Sequence, residues 1–292
     1  MADVLTAPAP VPAAAGPPGS AAGQRGGPRA RPGRWRRVRA ALPAVLRSVA
    51  VIGALAALWE VAPRLGWVEP SLIPPLSQVG EAWWALAQSG QLWDNTQASL
   101  RRAVVGFALA VAVGVPVGIV IGWYRWAHQL LDPLLELFRN TAALALLPVF
   151  TLLLGIGETS KTAIVVYACL FPVLLNTISG VGSVDPLLIK ATRSLGLGPL
   201  ALFRKVVVPA ALPTIFTGIR LAGAASILVL IAAEMVGAKA GLGYLVNYAQ
   251  FNFMIPQMYA GILTISALGL LANASLVRLE RRSSRWRTDV RG

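Results

Sequence analysis

The strongest constraint on this chain is a set of apolar runs, each about as long as a bilayer is thick. From 103 to 124 and from 162 to 184 no Asp, Glu, Lys or Arg occurs. Crossing roughly 30 Å of hydrocarbon takes about 20 apolar residues, and a single segment can do so only as a helix, which satisfies its own backbone hydrogen bonds. Six stretches qualify as candidate spans: 48–64, 103–124, 137–157, 162–184, 214–236 and 257–277. The expected fold is an all-α membrane protein with six transmembrane helices. Composition agrees, with 56% hydrophobic residues, 13% charged residues and a mean hydropathy of +0.65.

The ends read differently from the centre. Residues 1–42 are rich in Ala, Pro and Gly, carry seven arginines between Arg25 and Arg39 and offer little to bury, so they are expected to form a disordered basic tail. The membrane domain is expected over 43–280 and a second basic tail over 281–292. No apolar core follows the charged start closely enough for a cleaved signal peptide, so the first helix is expected to stay attached. The net charge of +14 comes from the tails and the helix ends rather than from a soluble basic surface, which argues against nucleic acid as a partner. Cys169 and His128 are single, so neither a disulfide framework nor a His/Cys metal site can be assembled.

Within the spans, Gly114, Gly118 and Gly122 lie four apart and predict a face for close helix packing. Pro148 interrupts the third span, and Pro172 and Asn176 interrupt the fourth, as is tolerated where neighbouring helices or a water-lined cavity satisfy the freed backbone. Asn176, Thr177 and Ser226 are candidates to line a pathway, with helix-to-helix hydrogen bonds an equal explanation. Glu234, near the end of the fifth span, is expected to bond the backbone of the 237–243 turn, with a role in gating or docking as the alternative. Between the first two spans, Val79, Trp83, Leu86 and Ala87 make a stripe at helical spacing, suited to the outer interface or to packing on the bundle.

The polar-edged segment 185–213 lies between spans four and five and is not built like a loose loop. Asp185 before Pro186 reads as an N-cap with proline at the first helical position, and Gly196 sits where a helix stops. A helix of about ten residues is predicted, with Leu187, Leu188, Ala191 and Leu195 on one apolar stripe and Lys190, Arg193 and Ser194 elsewhere. Such a helix either lies on lipid headgroups or binds a partner. Basic residues place the segment: the N-terminal arginines, Arg125, Lys190, Arg193, Arg204, Lys205 and the C-terminal arginines fall on one side, against Arg64, Arg101, Arg102, Lys161 and Lys239 on the other. By the positive-inside rule the first side is the cytoplasm, with both termini there.

This segment resembles the cytoplasmic EAA loop of binding-protein-dependent ABC transporter permeases, in the register Lys190, Ala191, Thr192, Gly196, Val206 and Pro209. Residues 45–285 resemble the nitrate, sulfonate and taurine importers of that family. The resemblance runs through Trp59-Glu60 and Arg64 to Gly66, Leu130 to Leu134, Leu147-Pro148 and Gly155 to Glu158. It continues through Phe171-Pro172, Asn176-Thr177, Arg193 to Gly196, Pro209 to Pro213, Glu234-Met235 and Gly241 to Tyr244. Two departures stand out: Lys190 occupies the place of the pattern's glutamate, and Arg139-Asn140-Thr141-Ala142 stands where R-P-x-P is usual.

The resemblance implies a type I ABC importer permease in the bacterial plasma membrane, a homodimer around a central pathway that imports a small anionic solute of the sulfonate, taurine or nitrate class. It implies an extracytoplasmic solute-binding protein and a separate ATP-binding subunit that carries ATP and Mg, with no enzyme activity or cofactor in this chain. In agreement, no Gly-Lys dipeptide occurs anywhere, so a phosphate-cradling P-loop is impossible. The coupling contact falls on Asp185, Leu187, Leu188, Lys190, Ala191, Arg193, Leu195, Gly196 and Pro209. An ion-gradient-driven secondary transporter is the alternative; it usually shows ionisable residues near the midplane, where only Glu60 and Glu234 come into question.

Overall fold

The computed structural model describes residues 34–283, and every element among them is a helix. Residues up to Ala54 form one compact unit and residues from Leu55 onward a second. The described part of the first unit is helical and belongs to α1 (Arg34–Arg64). The helix thus begins within the stretch expected as a disordered tail; residues 1–33 and 284–292 lie outside the described residues.

The second unit is built on three helices: α3 (Gln91–Trp123), α6 (Glu158–Gly182) and α9 (Val208–Met235). The glycines on α3 explain why α3 and α6 approach so closely. A Cβ at Gly106 would lie 2.7 Å from Val165 Cγ1, one at Gly118 2.7 Å from Thr177 Cβ, and one at Gly122 2.9 Å from Val181 Cβ. The predicted glycine face is therefore the α3–α6 seam, into which α6 sets Val165, Val173, Thr177 and Val181. Gly218 does the same for α9, where an added Cβ would lie 2.7 Å from the Pro172 carbonyl oxygen. Val165, Cys169 and Val173 of α6, Ala110 of α3 and Ala222 of α9 are fully buried in the resulting core.

Three further helices wrap this core. α2 (Leu76–Gln88) turns Val79 and Leu86 onto Leu242 and Leu245 of α10 (Leu242–Phe251) and Ala260 of α11 (Ile255–Ser283). Trp83 Nε1 donates to Thr264 Oγ1 at 3.1 Å. The stripe at 79–87 thus packs on the bundle. Glu60 of α1 seats the start of α2, accepting from the Ser77 N–H at 2.9 Å and the Ser77 hydroxyl at 3.0 Å, while Trp59 Nε1 donates to the Pro74 carbonyl at 3.1 Å.

Among the described residues, α3, α6, the segment Pro199–Met235 and α11 are each long and apolar enough to cross a membrane. The expected third span, 137–157, is not one helix. α4 (Arg125–Asn140) ends at Thr141 and Ala142, both extended, and a 3-10 turn (Ala143–Leu146) leads into α5 (Leu147–Leu154), bent 87° from α4. Pro148 has no N–H to continue a helix from before it and sits instead in the first turn of α5. Counted as one bent span, this pair makes a fifth. The first expected span falls in α1, whose side chains before residue 47 lie outside the described residues.

The second and fifth spans start earlier than expected. α3 reaches back to Gln91, and α9 is extended backwards through a π-helical turn (Phe203–Val207) to α8 (Pro199–Leu202). Prolines 199, 209 and 213 fall in this stretch, all three in the segment 185–213 expected to lie outside the spans. The wider turn just before Pro209 gives its ring room against the preceding carbonyls, so the helix continues through it.

Replacing Gly118 by Leu is expected to lower the thermal midpoint of the detergent-solubilised protein, at a cost of about 1–3 kcal/mol for overpacking. Gly182→Leu, where an added Cβ meets nothing within 4 Å, serves as the reference and is expected to leave the midpoint within a degree or two of the parent.

Candidate functional site

Three features at different places carry chemistry. The first is α7 (Pro186–Ser194), the helix predicted from Asp185 and Pro186. Asp185 Oδ1 accepts from the Leu187 N–H at 2.8 Å, and the chain leaves the helix through Gly196 at φ +79°, where an L side chain would be strained. Ile189 packs against Val181, Val184, Val207 and Ala211, and Thr192 is buried beside it. That fixes the other face outward: Leu187, Leu188, Ala191 and Leu195 are all exposed, Leu195 to 79%, as are Lys190 and Arg193. Pro209 lies apart from α7, half-buried at the start of α9.

The second feature lies at the opposite end of α6 and α9. Asn95, Ser99 and Arg102 stand at helical spacing on α3 and converge on Glu234 and the start of α10. Arg102 Nη1 donates to Glu234 Oε1 at 2.6 Å and to the Ala240 carbonyl at 2.8 Å. Its Nε donates to Glu158 Oε2 at 2.6 Å, and its Nη2 to Glu158 Oε1. The Ser99 hydroxyl donates to the Glu234 carboxylate and accepts from the Leu242 N–H at 2.8 Å. The N–H groups of Gly241 and Gly243 donate to Asn95 Oδ1 at 2.8 Å and Glu234 Oε2 at 3.0 Å. Three backbone donors at the start of α10 are thereby capped by side chains of other helices.

Glu234 is fully buried and Arg102 is 4% exposed, whereas the Glu158 side chain is 70% exposed. Gly241 has φ +127°, and a Cβ there would fall 2.4 Å from the Glu234 carboxyl carbon, so the turn admits only glycine. Lys161, also buried, donates to the carbonyls of Gly157 and Gly237 at 3.4 Å each. The bond from Gly243 to Glu234 is the one expected from sequence. Ser99 and Arg102 as partners of Glu234, and Asn95 and Glu158 as members of the same cluster, were not anticipated; Arg102 and Lys161 counted only as interfacial charges. The spacing of 95, 99 and 102 at one end of an apolar run is the signal that points to them.

The third feature is a cavity of about 590 Å³ walled by the α4–α5 break, α6 and α9. Phe138, at the end of α4, packs on Tyr167 and Phe171 midway along α6, with ring centroids 6.4 and 5.6 Å away. Arg139 therefore lies alongside the middle of α6, with its side chain half exposed, and not at a span's end, as the expected 137–157 helix would have had it. Its partner is Glu136 one turn back, at 2.7 Å.

The sequence-derived pathway candidates do not gather at one place. Asn176 lines this cavity, its Nδ2 donating to the Pro172 carbonyl at 2.8 Å. Thr177 is sealed in the α3–α6 seam and donates to the Val173 carbonyl at 2.7 Å. Ser226 faces a different, apolar groove between α3, α9 and α11, and donates to the Gly223 carbonyl at 2.8 Å. Glu234 belongs to the charged cluster.

Residues 114–285 match the family model described as binding-protein-dependent transport system inner membrane component. The chain belongs to this family. The permease is 36% identical over 232 residues to SsuC of Escherichia coli (strain K12), named as an aliphatic sulfonates transport permease, covering 80% of this chain and 88% of SsuC. It is 34% identical over 251 residues to the taurine transport system permease protein TauC of the same organism, covering 84% and 91%. Among solved structures, the inward-facing MetNI methionine ABC transporter shares the fold, with TM-score 0.55 at 20% identity over 68% of this chain and 96% of that one. The chain is thus an ABC importer permease of type I architecture, and the gradient-driven alternative falls. The permease works with ATP-binding and solute-binding components, as its family does.

Removing one partner of a buried ion pair costs about 3–5 kcal/mol, because the other charge is left uncompensated. Arg102→Met is therefore expected to abolish recovery of a monodisperse permease on size exclusion, while the double variant Arg102→Met with Glu234→Leu recovers part of it. Glu158→Gln, where the altered group itself reaches solvent and Arg102 keeps its bond to Glu234, is expected to cost about 1 kcal/mol or less.

Proposed function

We propose that this permease imports a small anionic solute of the sulfonate class across the bacterial inner membrane, as half of a homodimer driven by a separate ATP-binding subunit. Relatives named for aliphatic sulfonate and taurine transport over four-fifths of the chain support the solute class. The observation that carries the coupling assignment is the outward face of α7: four apolar side chains at helical spacing, left uncovered by the chain's own core.

An amphipathic helix of this kind fits a hydrophobic groove on a partner protein, with Leu188 and Leu195 as anchors. With the basic residues around α7 at the cytoplasmic side, the ATP-binding subunit meets Leu187, Leu188, Lys190, Ala191, Arg193 and Leu195. Asp185 and Gly196 fix the helix's two ends, and Pro209 begins the span that carries the movement. ATP and Mg are held by the partner. Closing of the ATPase dimer then moves α7 and swings the spans between inward-open and outward-open states. Asn176 lies on the pathway side; the Glu234 end faces the solute-binding protein, where the charged cluster holds the start of α10 rigid.

The test is purification of the tagged permease from gently solubilised membranes. The ATP-binding subunit is expected to come with it and to be lost from the Leu188→Asp/Leu195→Asp variant, whose own folding is unaffected because both side chains are exposed. Retention of the subunit by that variant rejects α7 as the contact. At Lys190 the partner surface is expected to carry an acidic residue, and exchanging the two charges is expected to restore an assembly that Lys190→Glu alone weakens. An arginine or lysine opposite Lys190 in a working pair rejects that assignment.

A further inference from the structure

The cavity beside the α4–α5 break combines one charge with an aromatic wall at a depth where charge is costly. α6 has 25 residues, and Tyr167 and Phe171 are its tenth and fourteenth. Arg139, next to Phe138 and lining the same cavity, is therefore held near mid-helix. Intramembrane arginines face protein interiors or water-filled routes and mark the paths of ions and substrates. Arg139 is the one charged residue among the described residues that line this cavity, and Glu136, its partner, is not among them. Their exposed pair one helical turn apart is weak enough for an incoming anion to compete with it.

The rest of the lining is graded. Beside Arg139, Thr141 donates to the Leu137 carbonyl at 3.0 Å and keeps its oxygen lone pairs, and Asn176 keeps one amide N–H after bonding Pro172. Phe138, Tyr167 and Phe171 supply the aromatic part of the lining, with Tyr167 and Phe171 edge to face at 5.1 Å and Phe138 stacked on Phe171. The Tyr167 hydroxyl donates to the Phe138 carbonyl at 3.4 Å, tying the wall to the break. A bare inorganic oxyanion entering such a site gives up its hydration on every face and meets one cation in return. A solute with an anionic head and an apolar body gives up hydration at its head alone.

Resting on the reading of this chain as an anion-importing permease, the geometry points to Arg139 as the residue that receives the solute's anionic head, and to the Phe138–Tyr167–Phe171 wall as the surface that selects an apolar body behind it. The solute is an organic anion rather than an inorganic one, and the wall sets how long its chain can be. Arg139 acts by contact with the solute; its exposed pair with Glu136 holds the guanidinium when the site is empty.

Initial uptake is measured in cells lacking their own anion importers and supplied with this permease, its ATP-binding subunit and its solute-binding protein, using labelled methanesulfonate, 1-butanesulfonate and nitrate. Butanesulfonate is expected to enter in preference to nitrate. Arg139→Gln is expected to lower its uptake by roughly tenfold or more, the order for losing one charge-assisted contact, with Arg139→Lys recovering part of the rate. Tyr167→Ala is expected to depress butanesulfonate uptake more than methanesulfonate uptake, a shift in ratio that a general folding defect does not produce.

Equal entry of nitrate and butanesulfonate, or an unchanged rate in Arg139→Gln, overturns the inference while the importer reading stands. Entry of neither sulfonate, with the ATPase bound and active, overturns it too. Absence of an ATP-binding subunit from the purified complex overturns the importer reading itself.

Discussion

A carboxylate at zero exposure inside a membrane bundle persists only if every lone pair has a donor, and the end of the molecule around Glu234 is arranged to meet that demand. Arg102 and Ser99 come from α3, the Gly243 N–H from the start of α10, and Glu158 from α6 takes up the remaining face of the guanidinium. Because these groups sit on four helices, satisfying one side chain fixes four backbones. The turn between α9 and α10 inherits its glycines from the same demand, since the carboxylate occupies the space a Cβ at Gly241 would need.

At the other end the logic is reversed. Around α7 the chain covers only what it can: Ile189 and Thr192 are buried, and the opposite stripe is left to water, lipid or another protein. Membership in a binding-protein-dependent transport family, whose members act with ATP-binding components, gives that stripe a protein partner to fit. The two ends thus differ in kind. One is closed on itself through charge and hydrogen bonds; the other is finished only by assembly.

Much of this was legible in the residues, and the parts that were not share a cause. Asp185-Pro186 and Gly196 delimit α7 because capping is local, written within three or four residues of the helix end. Gly114, Gly118 and Gly122 announce the α3–α6 seam because a four-residue period is a property of one helix alone. The bend at Thr141 and Ala142 was hidden, since the apolar residues on both sides outweigh Arg139, Asn140 and Thr141 over a span's length and hydropathy has no direction. The segment 185–213 misled in the opposite sense, reading as wholly outside the spans where a π-helical turn lets the helix run on from Pro199. Arg102 was visible as a charge near a span's end but not as the partner of a residue 132 positions later, because pairing across helices depends on a packing that no single segment encodes. The same limit scattered the pathway candidates: Asn176 and Thr177 are neighbours in the chain, yet one faces a cavity and the other a sealed seam.

The unbroken course from Pro199 to Met235 has a mechanical meaning. Its 37 residues reach about 55 Å at the usual rise of a helix, well beyond the thickness of the hydrocarbon they cross. Such an element behaves as a stiff lever whose short arm ends beside α7 and whose long arm ends at Glu234, clamped to three other helices. Tilt applied at the short arm reaches the clamp almost undiminished, except near its start, where the π-helical turn 203–207 and the missing N–H groups of Pro209 and Pro213 loosen the hydrogen bonding. Bending compliance is thereby concentrated next to the input, so motion entering there is shared between flexing the turn and rotating everything beyond it as a rigid body.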